Sequence, residues 1–420
     1  MTGSTIIEKL IAHNVGVKKV NAGEVHMLKP DVIIMYAWPA ISDRYMDTLD
    51  HELNLTKLPY PEKMIFFCDH FVPPQNPEQS SFHVKSQEWC QKHNVKCITD
   101  KGIGHVVVIE EGLVKPGNIG THFDMHISTI GAIGALGIGI MAEVLMPIAT
   151  GNMWLVIPPT IRVNIEGAFE PGISGRDLLN RIVADYGPDW ANGKIVEFGG
   201  PGAENISVDS RMVICDLANY FGAITAIFVP DKTVDKYMKE HDISNYLKFA
   251  PDDDAIYTQT VTYNLKDIEP TLTAPATVSN AVKLTAVEGT SIDIGIIGTC
   301  ASGRLEDFEQ AAKILKGKKL ADGFKLYVSP SSNRSFKEAL EKGYITTLVE
   351  AGAFISSPTC DFCYGKSVQL IGGQTAISTQ TLNVPGRLGS LEASIYLASA
   401  SVVAATSLYG KITDPRKELN

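Results

Sequence analysis

Short apolar runs alternate with amphipathic stretches along the first 160 residues. DVIIMYA, MIFFCDH and KCITD are compact apolar segments that predict buried strands. Helices are predicted over Ile6–His13, in the stretch before MIFFCDH, and over SSFHVKSQEWCQKHN. Strands alternating with helices imply βαβ units and a largely parallel sheet. The pattern then repeats. IPPTIRVNIEGAFEPG predicts a strand and a turn, SGRDLLNRIVADYG an amphipathic helix with Ser174 as its N-cap, and TVDKYMKEH a further helix. EPTLTAPATVSNAV is rich in Pro, Thr and Ala and is expected to act as a linker over residues 271–284. Beyond it, SIDIGIIGT and TTLVEAGAFISS read as strand-like runs. The expected organisation is three α/β units, at 1–157, 158–270 and 285–420.

The most apolar stretch, Ile127 to Thr150, is glycine-rich and holds Glu143 and Pro147. It is expected to be a buried Gly/Ala-rich helix with its approach loop rather than a membrane span. A chain of 420 residues is long enough for two or three cores. Its net charge of −10 and lack of a basic stripe argue against a nucleic-acid partner. Seven unevenly spaced cysteines do not form a secreted disulfide framework. The opening MTGSTIIEKLIAHN reads as a capped amphipathic helix without a signal-peptide core. A reducing, cytoplasmic setting with no membrane association is expected.

Candidate chemistry gathers where apolar runs end. Asp69 and His70 follow MIFFC, His105 follows a glycine turn in GIGHVVVIEEG, and Asp124 and His126 lie in THFDMHIS. Ligands of parallel sheets bind outside such strand ends. Cys300 lies in IGTCASGRLEDF, and Cys360 with Cys363 in SSPTCDFCYG. A C-x-x-C pair alone is compatible with a redox dithiol, half of a zinc site, or two small buried hydrophobes. Three thiolates without a local fourth ligand suit an iron–sulfur cluster with one iron left open. The GGPG turn lacks a phosphate-loop lysine and is no sign of a nucleotide.

The surrounding sequence resembles the aconitase superfamily, in particular the large subunits of 3-isopropylmalate and 2,3-dimethylmalate dehydratases. IGTCASGRLEDFEQAAKIL is similar to the family's first cluster motif, and PTCDFCYG to its P-G-C-x-x-C-x-G. STQTLNVPGRLGSLEASIYLASASVVAATSLYG resembles its C-terminal run, and the likeness spans nearly the whole chain in order. It implies an aconitase-like fold, three α/β/α domains with mostly parallel sheets around a central iron–sulfur cleft. It implies a hydro-lyase in which Cys300, Cys360 and Cys363 hold a 4Fe-4S cluster whose open iron acts as a Lewis acid on a hydroxy carboxylic acid. Asp69, His70, His105, Asp124 and His126 would be catalytic. Arg387, Arg304, Tyr36, Asn383, Asp216 and Tyr220 fall at substrate-binding positions. The base that removes the carbon proton would be a serine on a separate small swivelling-domain subunit.

Several positions depart from the family pattern. Met125 stands where it has serine, Tyr36 and Ala37 where it has glutamine and aspartate, and Asp216 and Tyr220 where it has asparagine and glutamate. Leu382 replaces an arginine and Thr381 an asparagine, while Asn383 and Arg387 persist. Replacing an arginine removes a charge-assisted contact worth roughly 1.5–3 kcal/mol. The expected substrate therefore carries fewer carboxylates, or different substituents, than citrate or isopropylmalate. Rival readings are a structural or regulatory cluster protein, a metal-free paralogue that has lost the activity, and a cofactor-independent dehydratase.

Overall fold

The computed structural model describes residues 3–419. The first alternation becomes a five-stranded sheet in the order Lys96–Ile98, Met64–Phe67, Val32–Tyr36, Ile119–His122 and Leu136–Gly139, parallel throughout. Nearly every residue of Val32–Tyr36 and Met64–Phe67 is buried, as expected for strands covered on both faces. The helix Ile6–Val15 is set by a capping box between Thr5 and Glu8 and ends on Gly16. The helix Pro77–His93 begins at Asn76, which accepts the Gln79 N–H, and covers one face of this sheet.

A second parallel sheet has four strands, ordered Thr225–Phe228, Ile195–Gly199, Thr160–Glu166 and Gln259–Asn264. Ser174 caps the helix Gly175–Tyr186 in a box with Asp177, as its sequence predicts. The third sheet has seven strands. Ser394–Leu397, Thr375–Ser378, Ile294–Gly298, Lys325–Ser329 and Phe354–Ile355 run parallel. Two antiparallel strands, Thr271–Thr273 and Ala281–Lys283, finish its edge. The whole is α/β with mostly parallel sheets.

Three local expectations are corrected. Residues 271–284 are not a free linker: Thr271, Leu272 and Thr273 are buried, and Thr273 pairs with Leu397. β-branched residues on a buried edge outweigh the flanking prolines. TTLVEA is helical, within Tyr344–Ala351, and only Phe354–Ile355 after it is extended. Ile345, Leu348 and Ala351 share its buried face, and Gly343 and Gly352 bracket it in the left-handed region. Ile127–Thr150 is not one long helix. It holds most of the 3-10 helix Met125–Ile133, the strand Leu136–Gly139 and the short helix Leu145–Thr150. Its glycines serve close approach: a Cβ on Gly131 would lie 1.9 Å from the Ala226 carbonyl oxygen. No helix among the described residues is long and apolar enough to cross a membrane.

Candidate active site

The strands Met64–Phe67, Val32–Tyr36 and Ile119–His122 are neighbours and parallel, so their C-terminal ends open on one edge. That edge presents Cys68-Asp69-His70, Tyr36, and Phe123-Asp124. In the third sheet, Ile294–Gly298 ends at the loop that carries Cys300. Gly298 sits at φ +145°, and a Cβ there would come within 2.2 Å of the Ser329 carbonyl. Only glycine lets the loop fold that tightly and aim Cys300 back toward the first sheet.

The two edges face each other across a cleft of about 380 Å³. Cys300, Cys360 and Cys363 reach it from one side, packed around Ile103 with Tyr364 against them. Cys300 and Cys360 are both buried in one small cluster. Cys363 Sγ takes a hydrogen bond from Arg387 Nη2 at 3.1 Å and lies 3.1 Å from Thr381 Oγ1. Burial resists the Cys363 thiolate, yet Arg387 and Thr381 bring this thiol below its usual range. Burial works against the Arg387 charge, and the adjacent thiols raise its affinity for a proton.

The other wall carries imidazoles and carboxylates. His126 Nδ1 lies 2.9 Å from Asp216 Oδ1, which also accepts the Thr129 hydroxyl at 3.0 Å. Burial disfavours the His126 charge, but Asp216, Cys300 and Asp124 outweigh it and hold the ring protonated well above the usual histidine range. Burial likewise opposes ionisation of Asp124, but the charged His126 ring and the His126 N–H that it accepts override it, so the carboxylate stays charged. Tyr36 donates to Asp124 Oδ2 at 2.7 Å, and His105 Nε2 stands 3.9 Å from the same oxygen. Burial lowers His105 and drives His122 down to about 3, so both are neutral. Asp69 pairs with His70 at 2.8 Å and accepts the Gly104 N–H at 2.7 Å. The wall thus holds one proton donor, His126, beside a neutral acceptor, His105.

Of the residues singled out in the sequence, Tyr36, His70, His105, Asp124, His126, Arg387 and the three cysteines line the cleft. The others stand one layer behind. Asp69 holds His70 and Asp216 holds His126. Arg304 does not reach the cleft: its Nη1 donates to the Cys300 carbonyl at 2.6 Å and braces the cysteine loop from behind. Asn383 donates to the Ala274 carbonyl at 2.7 Å, and Tyr220 donates to the Thr381 carbonyl under the Arg176 guanidinium. Sequence reasoning missed His122, although it lies within THFDMHIS, and missed the apolar lining: Trp38, Phe123, Met141 and Tyr364. Trp38 and Tyr364 meet edge-to-face at 4.9 Å, and Tyr36 stacks on His70 at 4.3 Å.

Two donor sets could hold metal. His126, Asp216 and Cys300 offer atoms within 4.8 Å of one another. The Nδ1 proton of His126 is already committed to Asp216, which weakens this set as ligands. The three thiols of Cys300, Cys360 and Cys363 do not all converge within that distance among the described residues, so they do not enclose one small ion. Three buried thiols, spread rather than convergent and open to a cleft, fit a cluster of several irons better than a single zinc.

The aconitase family model, described as aconitate hydratase, matches residues 66–290 and 283–410. The chain is 33% identical to the probable 3-isopropylmalate dehydratase large subunit of Methanothermobacter thermautotrophicus, over 98% of both chains. It is 34% identical to the 3-isopropylmalate dehydratase large subunit of Wolinella succinogenes, over 99% of this chain and 100% of that one. The 2,3-dimethylmalate dehydratase large subunit of Eubacterium barkeri is 32% identical, over 98% and 99%. Among solved structures, the aconitase X of Thermococcus kodakaraensis superposes with a TM-score of 0.48 at 11% identity, covering 84% of each chain.

Proposed function

This chain belongs to the aconitase family, and on that premise we propose that it is the cluster-binding large subunit of an iron–sulfur hydro-lyase acting on a hydroxy carboxylic acid. The observation that carries the reading is the meeting of three buried thiols with a protonated His126 and an ionised Asp124 across one cleft. Cys300, Cys360 and Cys363 would hold a 4Fe-4S cluster. When bound, that cluster supplies a Lewis-acidic iron that polarises the hydroxyl to be lost.

The chain's own residues account for the rest. Among the described residues Arg387 is the only guanidinium or ammonium lining the cleft, and it grips a substrate carboxylate. With Nδ1 held by Asp216, His126 gives its Nε2 proton to the departing hydroxyl, which leaves as water. Asp124, steadied by Tyr36, keeps His126 charged before that transfer. The large-subunit names of the relatives support a small partner subunit for this chain, and that partner would bring the base that takes the carbon proton.

The remaining lining is apolar: Trp38, Ile41, Phe123, Met125, Met141 and Leu382. One guanidinium against that surface, with the His126 charge already paired to Asp216, favours a substrate with a single gripped carboxylate and an apolar substituent. The test pairs the anaerobically reconstituted chain with a small subunit of a related dehydratase. A panel of hydroxy mono-, di- and tricarboxylates is then followed for formation of the unsaturated acid. Turnover is expected with alkyl-substituted malates or simpler hydroxy acids. Failure of every acid with a fully loaded, partnered chain rejects the reading.

A further inference from the structure

A second cavity, of about 210 Å³, lies behind the cysteine loop, and the proposed dehydration does not use it. It shares no lining residue with the cleft. Glu110, at the end of the helix Gly104–Glu110, forms one side. Three other helices turn their first turns toward the same hollow. Ser207 to Asp209 open the helix Val208–Asp216, Arg304 and Leu305 open Leu305–Leu315, and Arg334 and Ser335 open Asn333–Glu341. The first N–H groups of a helix have no intrahelical partner and form the positive end of its dipole. Three such ends around one hollow favour an anion.

Arg304, in the wall of this cavity, is an independent sign of a ligand. The residue is 1% exposed, and its Nη1 is spent on the Cys300 carbonyl. Nε and Nη2 have no hydrogen-bond partner. Together they form the side-on edge of the guanidinium, which grips a carboxylate or phosphate with two parallel bonds. A buried guanidinium edge left unpaired is costly, and an oxyanion satisfies it. Arg334 and Lys236 add positive charge to the wall. Carboxylates line it too, but most are engaged. Asp209 accepts the Glu306 N–H at 3.2 Å, Glu110 accepts the Ser332 hydroxyl at 2.9 Å, and Glu240 lies 3.8 Å from Lys236. Glu338 stands one helical turn from Arg334. These acids restrict the hollow to one small anion and disfavour a polyphosphate.

We propose that this cavity binds a small oxyanion, a carboxylate or inorganic phosphate, on the free edge of Arg304 with Arg334 beside it, and that the bound anion steadies the loop carrying Cys300. The path between the two is short. The guanidinium that would hold the anion also holds the Cys300 carbonyl at 2.6 Å. The adjoining Gly303 carbonyl accepts the Ser331 N–H at 2.9 Å and the Ser331 hydroxyl at 3.0 Å. Ser331 leads into the helix Asn333–Glu341, whose first turn lines the cavity. With its second edge satisfied, Arg304 is fixed in the orientation that braces Cys300. An anion here acts on the cysteine loop from behind and leaves the cleft free for substrate.

The full-length apo chain is titrated by calorimetry with sodium phosphate and, separately, with sodium acetate and sodium succinate, in chloride of matched ionic strength. Hydrogen exchange over residues 299–305 is followed in parallel. Saturable one-to-one binding of phosphate or of a carboxylate is expected, with slower exchange in that segment, and the anion that binds identifies the source. Arg334→Gln is expected to weaken binding by about tenfold, the loss of one charge-assisted contact. Arg304→Lys, which keeps the charge but lacks the two-bond edge, is expected to weaken it further. Arg387→Leu, in the cleft, is expected to bind the anion as the parent does. Three results overturn the proposal: no saturable binding of any of the three anions, affinity unchanged in Arg334→Gln or lost in Arg387→Leu, or exchange over residues 299–305 that the anion does not slow. If Arg304→Lys fails to fold, Arg334→Gln decides.

Discussion

Asp361 joins the cysteine loop to the wall opposite it, and Asp361→Asn tests that joint. The buried carboxylate accepts the Phe71 N–H at 2.7 Å, the Val72 N–H at 2.9 Å and the Tyr364 hydroxyl. Phe71 sits at φ +56°, a conformation that costs an L-residue about 1–2 kcal/mol and persists because its surroundings hold it. The same junction is reinforced by the Cys360 N–H donating to the Asp69 carbonyl at 3.1 Å. An asparagine amide keeps the size but offers one acceptor and turns a donor toward the other N–H. One backbone donor is left buried and unpaired, at roughly 1–3 kcal/mol, and the surviving bond loses its charge assistance, worth about another 1 kcal/mol. The expected loss is about 2–4 kcal/mol, concentrated where residues 69–72 meet residues 360–364. The assay is thermal unfolding of the apo chain, with hydrogen exchange over both segments and iron retention after anaerobic reconstitution. A fall in Tm on the order of 5 °C is expected, with faster exchange in both segments and weaker iron retention. A Tm within about 1 °C of the parent, with exchange and iron unchanged, refutes the interlock.

Two buried acids give a pH dependence. Burial raises Glu110 and Glu306 to about 7 each, above their values in an unfolded chain. Their contribution to stability is full below the unfolded carboxyl range and lost as pH rises through about 7. The chain is therefore expected to melt lower at pH 8 than at pH 6, and Glu306→Gln to flatten that slope; equal slopes in the two proteins contradict it. Arg387→Leu is expected to lower kcat/KM by about 10- to 150-fold, the loss of one charge-assisted contact. Arg387→Lys should recover part of it, and no change in either variant removes Arg387 from substrate binding. Leu382→Arg adds a second guanidinium to the cleft and is expected to raise relative kcat/KM for more highly carboxylated acids by about tenfold; an unchanged ranking on the panel contradicts the specificity argument.

The chemistry at strand ends was legible because a parallel sheet puts those ends on one edge. MIFFCDH, DVIIMYA and the stretch after Ile119–His122 could each be placed there from their apolar runs. The layer behind was not. Spacing identifies Arg304 and Asn383 as polar residues near the motifs, but not that their side chains turn to the Cys300 and Ala274 carbonyls. His122 escaped notice because a strand-terminal histidine looks like any other until the five-stranded sheet sets it against His105, at 5.2 Å between ring centroids. The helix at Tyr344–Ala351 was misread because Thr and Val favour strands locally, while the buried i, i+3 and i+6 positions decide the outcome. Thr271–Thr273 was misread because the prolines and Ala/Thr around it hid a short hairpin with Ala281–Lys283, and its other partner, Leu397, lies far along the chain.

The central claim is that Cys300, Cys360 and Cys363 hold one iron–sulfur cluster with an iron open to substrate. Anaerobic reconstitution with iron and sulfide, then EPR of the reduced protein with and without a turned-over hydroxy acid, tests it most directly. The account predicts a 4Fe-4S signal that the acid perturbs and that Cys363→Ser abolishes, while Cys215→Ser leaves it intact. A parent chain that stays colourless and iron-free, or that binds a single divalent ion indifferent to Cys360 and Cys363, contradicts it.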